Sequence, residues 1–375
     1  MRTTRRLAAL GTAAALLVSI GCGSDADKAD DGGAGDSGGE AGDSGSGSPA
    51  GFEASPGYLS RVIDETSGEA YRFEVGMDLG FGGETIDFGG PIATGEFDGT
   101  RQHMLMDMGV MFEGMAGQFG GAEEVPSELT GGDMSVEYVI DTDAMYIRAP
   151  FFATAFGSVP AGTDLGEAGG LLESFGSLGE SWGRVELGAL GDTLPSEAAS
   201  ALGGGQTFDP QLFLDMLSDA EGVEELGTEE IGGETVNGLA AEVSMTDLLG
   251  AQNIDPEDLG PEAEGMSDLS FPLEAWIDGD DQIRRITFSF DSESFADVTE
   301  ESGQDFAELD ALGDMSFGTT IDFSDYGDES ISVDVPAGDD VVDITDSFVS
   351  GFESLEDLSV DADDLGVDTE GLPTD

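Results

Sequence analysis

The strongest pattern in the chain is alternation. Tyr71, Phe73, Val75, Met77 and Leu79 fall at every second position, with Arg72, Glu74, Gly76 and Asp78 between them. Successive side chains of a strand point to opposite faces, so this spacing predicts a strand with one apolar and one polar face. The same spacing recurs in Met104, Met106, Met108 and Val110, and in Met134, Val136, Tyr138 and Ile140. Met145 and Ile147 follow across the turn-like Asp141-Thr142-Asp143, which predicts a hairpin. Leu239, Ala241, Val243 and Met245 repeat the pattern, as do Phe317, Thr319, Ile321 and Phe323, and finally Ile331, Val333 and Val335. The stretch 271–291 is the clearest hairpin: Leu273, Ala275 and Ile277 alternate, then Ile286, Phe288 and Phe290, around Asp278-Gly279-Asp280-Asp281. Those turn residues tolerate the positive φ that a tight reversal needs. Roughly nine or ten strands in a meander predict a mostly β, α+β chain built on one large antiparallel sheet, apolar on one face.

Few helices are expected. Asp209-Pro210 is a cap followed by a first-turn proline, with Leu212, Phe213, Met216 and Leu217 as a stripe behind it. Tyr58, Val62 and Ile63 suggest a short first helix. Phe348, Val349, Phe352 and Leu355 suggest a last one, leading into an acidic tail. The stretches 112–133, 157–181 and 246–270 read as long loops or loose helices.

The ends of the chain carry their own signals. Residues 1–21 have a basic start (Arg2, Arg5, Arg6) and an apolar run, Leu7 to Ile20, too short to span a bilayer. Arg5-Arg6 leaves twin-arginine export open beside the general route. The segment ends in Ser19-Ile20-Gly21-Cys22, which resembles the bacterial lipobox, with Ser19 where that motif carries leucine. The motif implies a diacylglyceryl group on Cys22, the chain's only cysteine. With one cysteine, internal disulfides are excluded. Residues 22–51 are a Gly/Ser/Asp tether that cannot bury a core, reaching about 30 Å as a flexible coil. The folded domain is expected over 52–352, with an acidic tail at 353–375.

Charge narrows the partners. The chain has 81 acidic and 11 basic residues, a net charge of −70. Such a surface repels nucleic acid and anionic head groups, so neither is an expected partner.

Apparent catalytic motifs fail on context. Gly35-Asp36-Ser37-Gly38-Gly39 and the Gly33, Gly35, Gly38 spacing both lie in the tether. Gly179-Glu180-Ser181-Trp182-Gly183 matches a nucleophile elbow, which needs a strand before it, a helix after it and a downstream histidine. The only histidine, His103, is upstream. Asp361, Asp363 and Gly366 partly fit a calcium loop, but Leu365 and Leu372 stand where oxygen ligands belong. Asp278, Asp280 and Asp281 read as a solvated turn. No enzyme, metal or cofactor is expected.

The apolar faces outnumber the helices able to cover them, and methionine is common on them. Methionine is flexible and polarizable and suits surfaces that meet variable apolar partners. Met77, Leu79, Met104, Met106, Val136, Tyr138, Ile286 and Phe288 are the expected lining of a lipid-sized space.

In order, the signal with Cys22, the tether, the helix and meander, Trp182 to Leu187, the Phe208-Asp209-Pro210 helix and the Gly227, Glu229, Gly233 to Met245 strand pair resemble a known family. The hairpin at 272–290 and the stretch 319–345 complete the match. The family is the actinobacterial envelope lipoproteins of the LppX/LprG type, in the LolA/LolB-like superfamily. The resemblance implies a strongly curved antiparallel half-barrel with a few helices on its concave side. It also implies a monomer on the extracytoplasmic face of the cell membrane that binds or moves the acyl chains of lipids or lipoglycans without catalysis. The alternative from another class is a surface lipoprotein with a packed sheet, acting as a structural or protein-interaction module.

If Cys22 carries the anchor, Cys22→Ser moves the protein from the membrane to the soluble fraction on cell fractionation. A wild type already soluble and unacylated by mass spectrometry contradicts the anchor.

Overall fold

The computed structural model describes residues 56–81, 84–111, 114, 134–150, 178–179, 181–189, 209–220, 222–251, 269–291 and 315–350. Cys22, the tether, the tail and most of the long predicted loops lie outside the described residues.

The strands are β1 (Tyr71–Phe81), β2 (Glu84–Asp87), β3 (Ala93–Phe97), β4 (Gln102–Asp107), β5 (Ser135–Ile140), β6 (Ala144–Arg148) and β7 (Trp182–Glu186). They continue as β8 (Glu224–Ile231), β9 (Glu234–Ser244), β10 (Ser270–Ile277), β11 (Ile283–Asp291), β12 (Met315–Ser324) and β13 (Val341–Asp343). Together they form one large, curved, unclosed sheet in the order β13-β7-β6-β5-β4-β3-β1-β12-β11-β10-β9-β8, with β2 beside β1. All pairs are antiparallel except the short edge pair β13–β7. The main helices are α1 (Pro56–Thr66), α2 (Pro210–Asp219) and α3 (Met245–Ala251), and 345–350, where Phe348 and Val349 are buried, is helical as well.

Two meanders meet in the middle. One runs outward from β1 to β7; the other starts at the far edge with β8 and returns to β12, which pairs with β1. The chain therefore has to travel from one edge of the sheet to the other between β7 and β8. Helix α2 lies on that path, docked on α1 and on β9, β10 and β11.

Register brings the alternating apolar positions into continuous rows. One row reads Leu239, Ala275, Ile286, Ile321, Val75, Ala93, Met106 and Val136 across eight strands. The next reads Phe323, Phe73, Gly95, Met104, Tyr138 and Ile147. Leu59 and Val62 of α1, and Phe213, Leu214, Met216 and Leu217 of α2, join these rows in one core. Each such side chain fully removed from water contributes roughly 1.5–3 kcal/mol.

Four expectations need correction. Met108 and Val110 do not extend β4, because 108–111 are helical. The Asp107 carboxylate accepts from the Gly109 and Val110 amides and turns the chain there. Met245 ends the β9 pattern but opens α3, while staying buried. Residues 331–337 form no strand. Instead Val333 packs on the outer face against Val139, Ala144 and Tyr146, and its amide donates to Asp98. Asp278 is not solvated: it is buried and accepts from the Asp280 and Gln282 amides and from Arg284. The positive φ of that turn falls on Asp281 rather than Gly279.

Glycine matters structurally at position 95, on the inner face. The Phe73 ring occupies the space a side chain would take there, and a Cβ would also sit 2.5 Å from the His103 carbonyl oxygen. Gly95→Val is expected to lower stability by ~1–3 kcal/mol through overpacking. Gly57→Ala, in an open position on α1, is expected to be neutral or slightly stabilising. Denaturant midpoints of the two variants check both expectations.

Candidate functional site

The inner face of the sheet is the candidate site. All eight residues expected to line it lie on that face: Met77 and Leu79 on β1, Met104 and Met106 on β4, Val136 and Tyr138 on β5, Ile286 and Phe288 on β11. Strand pairing alone places them there. They differ in what covers them. Met77, Met104, Met106, Val136 and Ile286 are buried, while Leu79, Tyr138 and Phe288 are half-buried.

The half-buried positions extend to residues the alternation put on the same strands. Leu79 pairs with Phe317, itself half-buried, and Phe317 pairs with Phe290. Phe288 lies under α2, where the Phe213 ring stacks on it at 6.0 Å between centroids and 19° between planes. Phe271 and Phe290 flank it at 6.3 Å. Tyr138 sits between Met104 and Ile147. Enough protein surrounds its hydroxyl to push its pKa up to about 12 by burial, yet the residue keeps part of its surface accessible.

Polar groups gather where α1 and α2 meet the sheet. The Asp209 carboxylate caps α2 by accepting from the Gln211 amide at 2.8 Å. The Ser67 hydroxyl donates to Gln211 at 3.2 Å, tying α1 to α2. Tyr71 and Tyr326 stand with ring centroids 5.7 Å apart, both pushed well above the ordinary phenol range by burial. The Arg284 guanidinium lies 5.8 Å over the Tyr326 ring and is held by Asp278 at 2.6 Å and Glu234 at 2.9 Å. Sequence reading missed this cluster, because Arg284 is placed by a register shift between Trp276 and Ile277 that spacing does not reveal.

The outer face carries further ion pairs. His103 and Arg148 share Glu137, Arg285 pairs with Asp322, Arg72 with Asp325, and Arg184 with Glu186. His103 thus points away from the inner face, as the alternation required. Ser181 precedes β7 instead of following a strand into a helix, so the elbow geometry is absent there. Among the described residues, no group of three or more metal-ligating side chains comes together, and no helix is long and apolar enough to cross a membrane. Cys22 lies outside the described residues.

No family model and no curated protein matches the chain. Solved structures similar to it include the lipoprotein LppX of Mycobacterium tuberculosis, at 12% identity and TM-score 0.35, covering 75% of this chain and 100% of that one. LprF of Mycobacterium bovis is similar at 12% identity and TM-score 0.32, covering 76% and 99%. A DUF1329 family protein of Desulfovibrio piger follows at 13% identity and TM-score 0.20, covering 74% and 93%. At these values the likeness extends to no residue role.

Burial raises the Asp209 pKa above the usual carboxylate range, and nearby Asp215 adds to the shift. A carboxyl raised in the folded state favours folding while protonated. That advantage is lost as pH climbs from the unfolded value of about 4 through the folded one. Asp209→Asn keeps a capping oxygen without the charge. It is expected to raise the unfolding midpoint near neutral pH, with the gain shrinking as pH falls toward about 4 and gone below it. Chemical denaturation across that range measures it.

Proposed function

We propose that this chain is a lipoprotein anchored through Cys22 on the extracytoplasmic face of the cell membrane. In this reading it binds or transfers acyl-chain lipids or lipoglycans on the inner face of its sheet, as a monomer and without catalysis. The observation that carries it is the half-burial of Leu79, Phe317 and Phe288, in neighbouring rows of the sheet, and of Tyr138 further along the same face. These are large apolar or aromatic side chains on the covered face of an unclosed sheet. In a face that only packs, such positions would be expected to be as buried as their neighbours Met77 and Ile286. A lipid chain laid on this face would gain up to roughly 0.8 kcal/mol per buried methylene. Part of that is offset by ordering the chain.

A second reading has its own support. Five of the eight expected lining residues are already buried, as in a packed structural or interaction module.

Two substitutions separate the readings. Leu79→Trp fills space at a half-buried position and is expected to lower lipid occupancy by native mass spectrometry, with little change in melting temperature. Val136→Trp enters a filled position and is expected to destabilise by ~1–3 kcal/mol. A wild type that carries and takes up no lipid, with Leu79→Trp losing only stability, supports the packed module.

A further inference from the structure

Charge placement adds a constraint on what the inner face accepts. Beyond Lys28 the sequence contains only seven basic side chains other than His103: Arg61, Arg72, Arg101, Arg148, Arg184, Arg284 and Arg285. Each is held by a carboxylate. Arg61 pairs with Asp281, Arg72 with Asp325, Arg101 with Asp141, Arg148 with Glu137, Arg184 with Glu186, Arg284 with Asp278 and Glu234, and Arg285 with Asp322. Four of the five on strands alternate with inner-face residues and so point outward: Arg72 beside Phe73, Arg148 beside Ile147, Arg184 beside Val185, Arg285 beside Ile286. The fifth, Arg284 on β11, lies over the Tyr326 ring and is held there by Asp278 and Glu234. His103 points outward too, onto Glu137. The segments outside the described residues that intervene between 56 and 350 contain no lysine, arginine or histidine, so they bring no cation to the face.

We propose, resting on the lipid-binding reading above, that the inner face selects acyl-chain lipids whose head groups carry no negative charge. Glycerides and uncharged glycolipids are accepted over phospholipids and other anionic lipids with the same chains. The physical reason is desolvation without compensation. A phosphate or carboxylate drawn toward the face loses its hydration and meets no free cation, and an unpaired charge is the costliest group to bury. A head group left at the rim instead meets the field of a chain with net charge −70, which repels it over about 10 Å at 0.1 M salt. A neutral hydroxylated or ester head meets neither penalty. On the inner face Tyr138 and Thr319, the latter between Met77 and Phe288, carry hydroxyls of the kind that neutral heads hydrogen-bond.

The test offers the delipidated full chain equimolar dioleoylglycerol and dioleoylphosphatidylglycerol in neutral detergent micelles. Bound lipid is counted by native mass spectrometry at low and at high salt. The expected result is a preference for the neutral lipid of at least ~10-fold at low salt that narrows but persists at high salt, because desolvation is not screened. Equal uptake, or preference for the anionic lipid, overturns the selectivity while leaving lipid binding in place. A preference that vanishes at high salt also overturns it, since the surface field alone would then explain the discrimination. Uptake of neither lipid removes the lipid-binding reading and the selectivity with it.

Discussion

The pairing of β1 with β12 holds the molecule together. Ten register pairs run from Arg72 opposite Ser324 to Phe81 opposite Met315, joining strands that are far apart in sequence. Every other neighbour in the sheet apart from β13–β7 belongs to one local meander or the other. Without the seam, each meander would end on a long bare strand, an open template for unwanted pairing. The seam also makes the inner rows continuous, setting Phe73 on Phe323, Val75 on Ile321 and Met77 against Thr319. Tyr71 buttresses one end, its ring 5.2 Å from Phe97 and 5.6 Å from Phe323. The entropy of closing so long a loop grows only logarithmically with its length, so the cost falls mainly on folding rate. The same topology decides which face is covered. A chain that leaves at β7 and re-enters at β8 has to cross the sheet, and α2 is placed on the inner side by that crossing.

Acidity sets the second constraint. With 81 acidic side chains in the chain and only seven arginines beyond Lys28, most of those arginines sit where strands meet side by side. Glu137 is shared by His103 and Arg148, and Arg285 reaches both Asp322 and Glu229. Exposed pairs of this kind contribute little individually, about 0–1 kcal/mol. Their larger effect here is to separate carboxylates that would otherwise face each other across the sheet. The edge strand β8, exposed along its length and carrying Glu224, Glu225, Glu229 and Glu230, uses the remaining repulsion differently. A charged edge discourages another strand from adding to it.

How much of this was legible in the sequence depended on what alternation measures. It reports that every second side chain is removed from water, and it named β1, β5, β10 and β11 and put all eight residues expected to line the site on one face. It does not report what the backbone bonds to. Ile331 and Val333 are buried at alternating positions, yet their segment lies across the outer face without a ladder. Strands β2 and β3 were invisible because they are short and because Gly95 fills its inner position with a neighbour's ring, Phe73, rather than a side chain of its own. Met108 and Val110 continue the period, but a single carboxylate, Asp107, turned the chain into a helix beneath them. The burial differences within the site were equally hidden. Leu79 and Met77 look alike in sequence, and what lies over each is decided by segments distant along the chain.

Packed and ligand-binding descriptions of such a face are less opposed than they sound. Met77, Met104, Met106 and Met145 are unbranched and adopt several rotamers at small cost, so they can close a space and open it again. Aromatic rings cannot reshape themselves and can only shift. The Phe213–Phe288 stack is therefore the place where the two descriptions diverge physically, since it joins the helix on the crossing chain to the sheet beneath it. A guest chain reaching the buried methionines from the Leu79–Phe317 side would let them repack around it without moving α2. A guest entering under α2 would have to unstack Phe213 from Phe288 and expose both rings. On the lipid-binding reading, the first route asks only for side-chain rearrangement and the second for displacement of a helix.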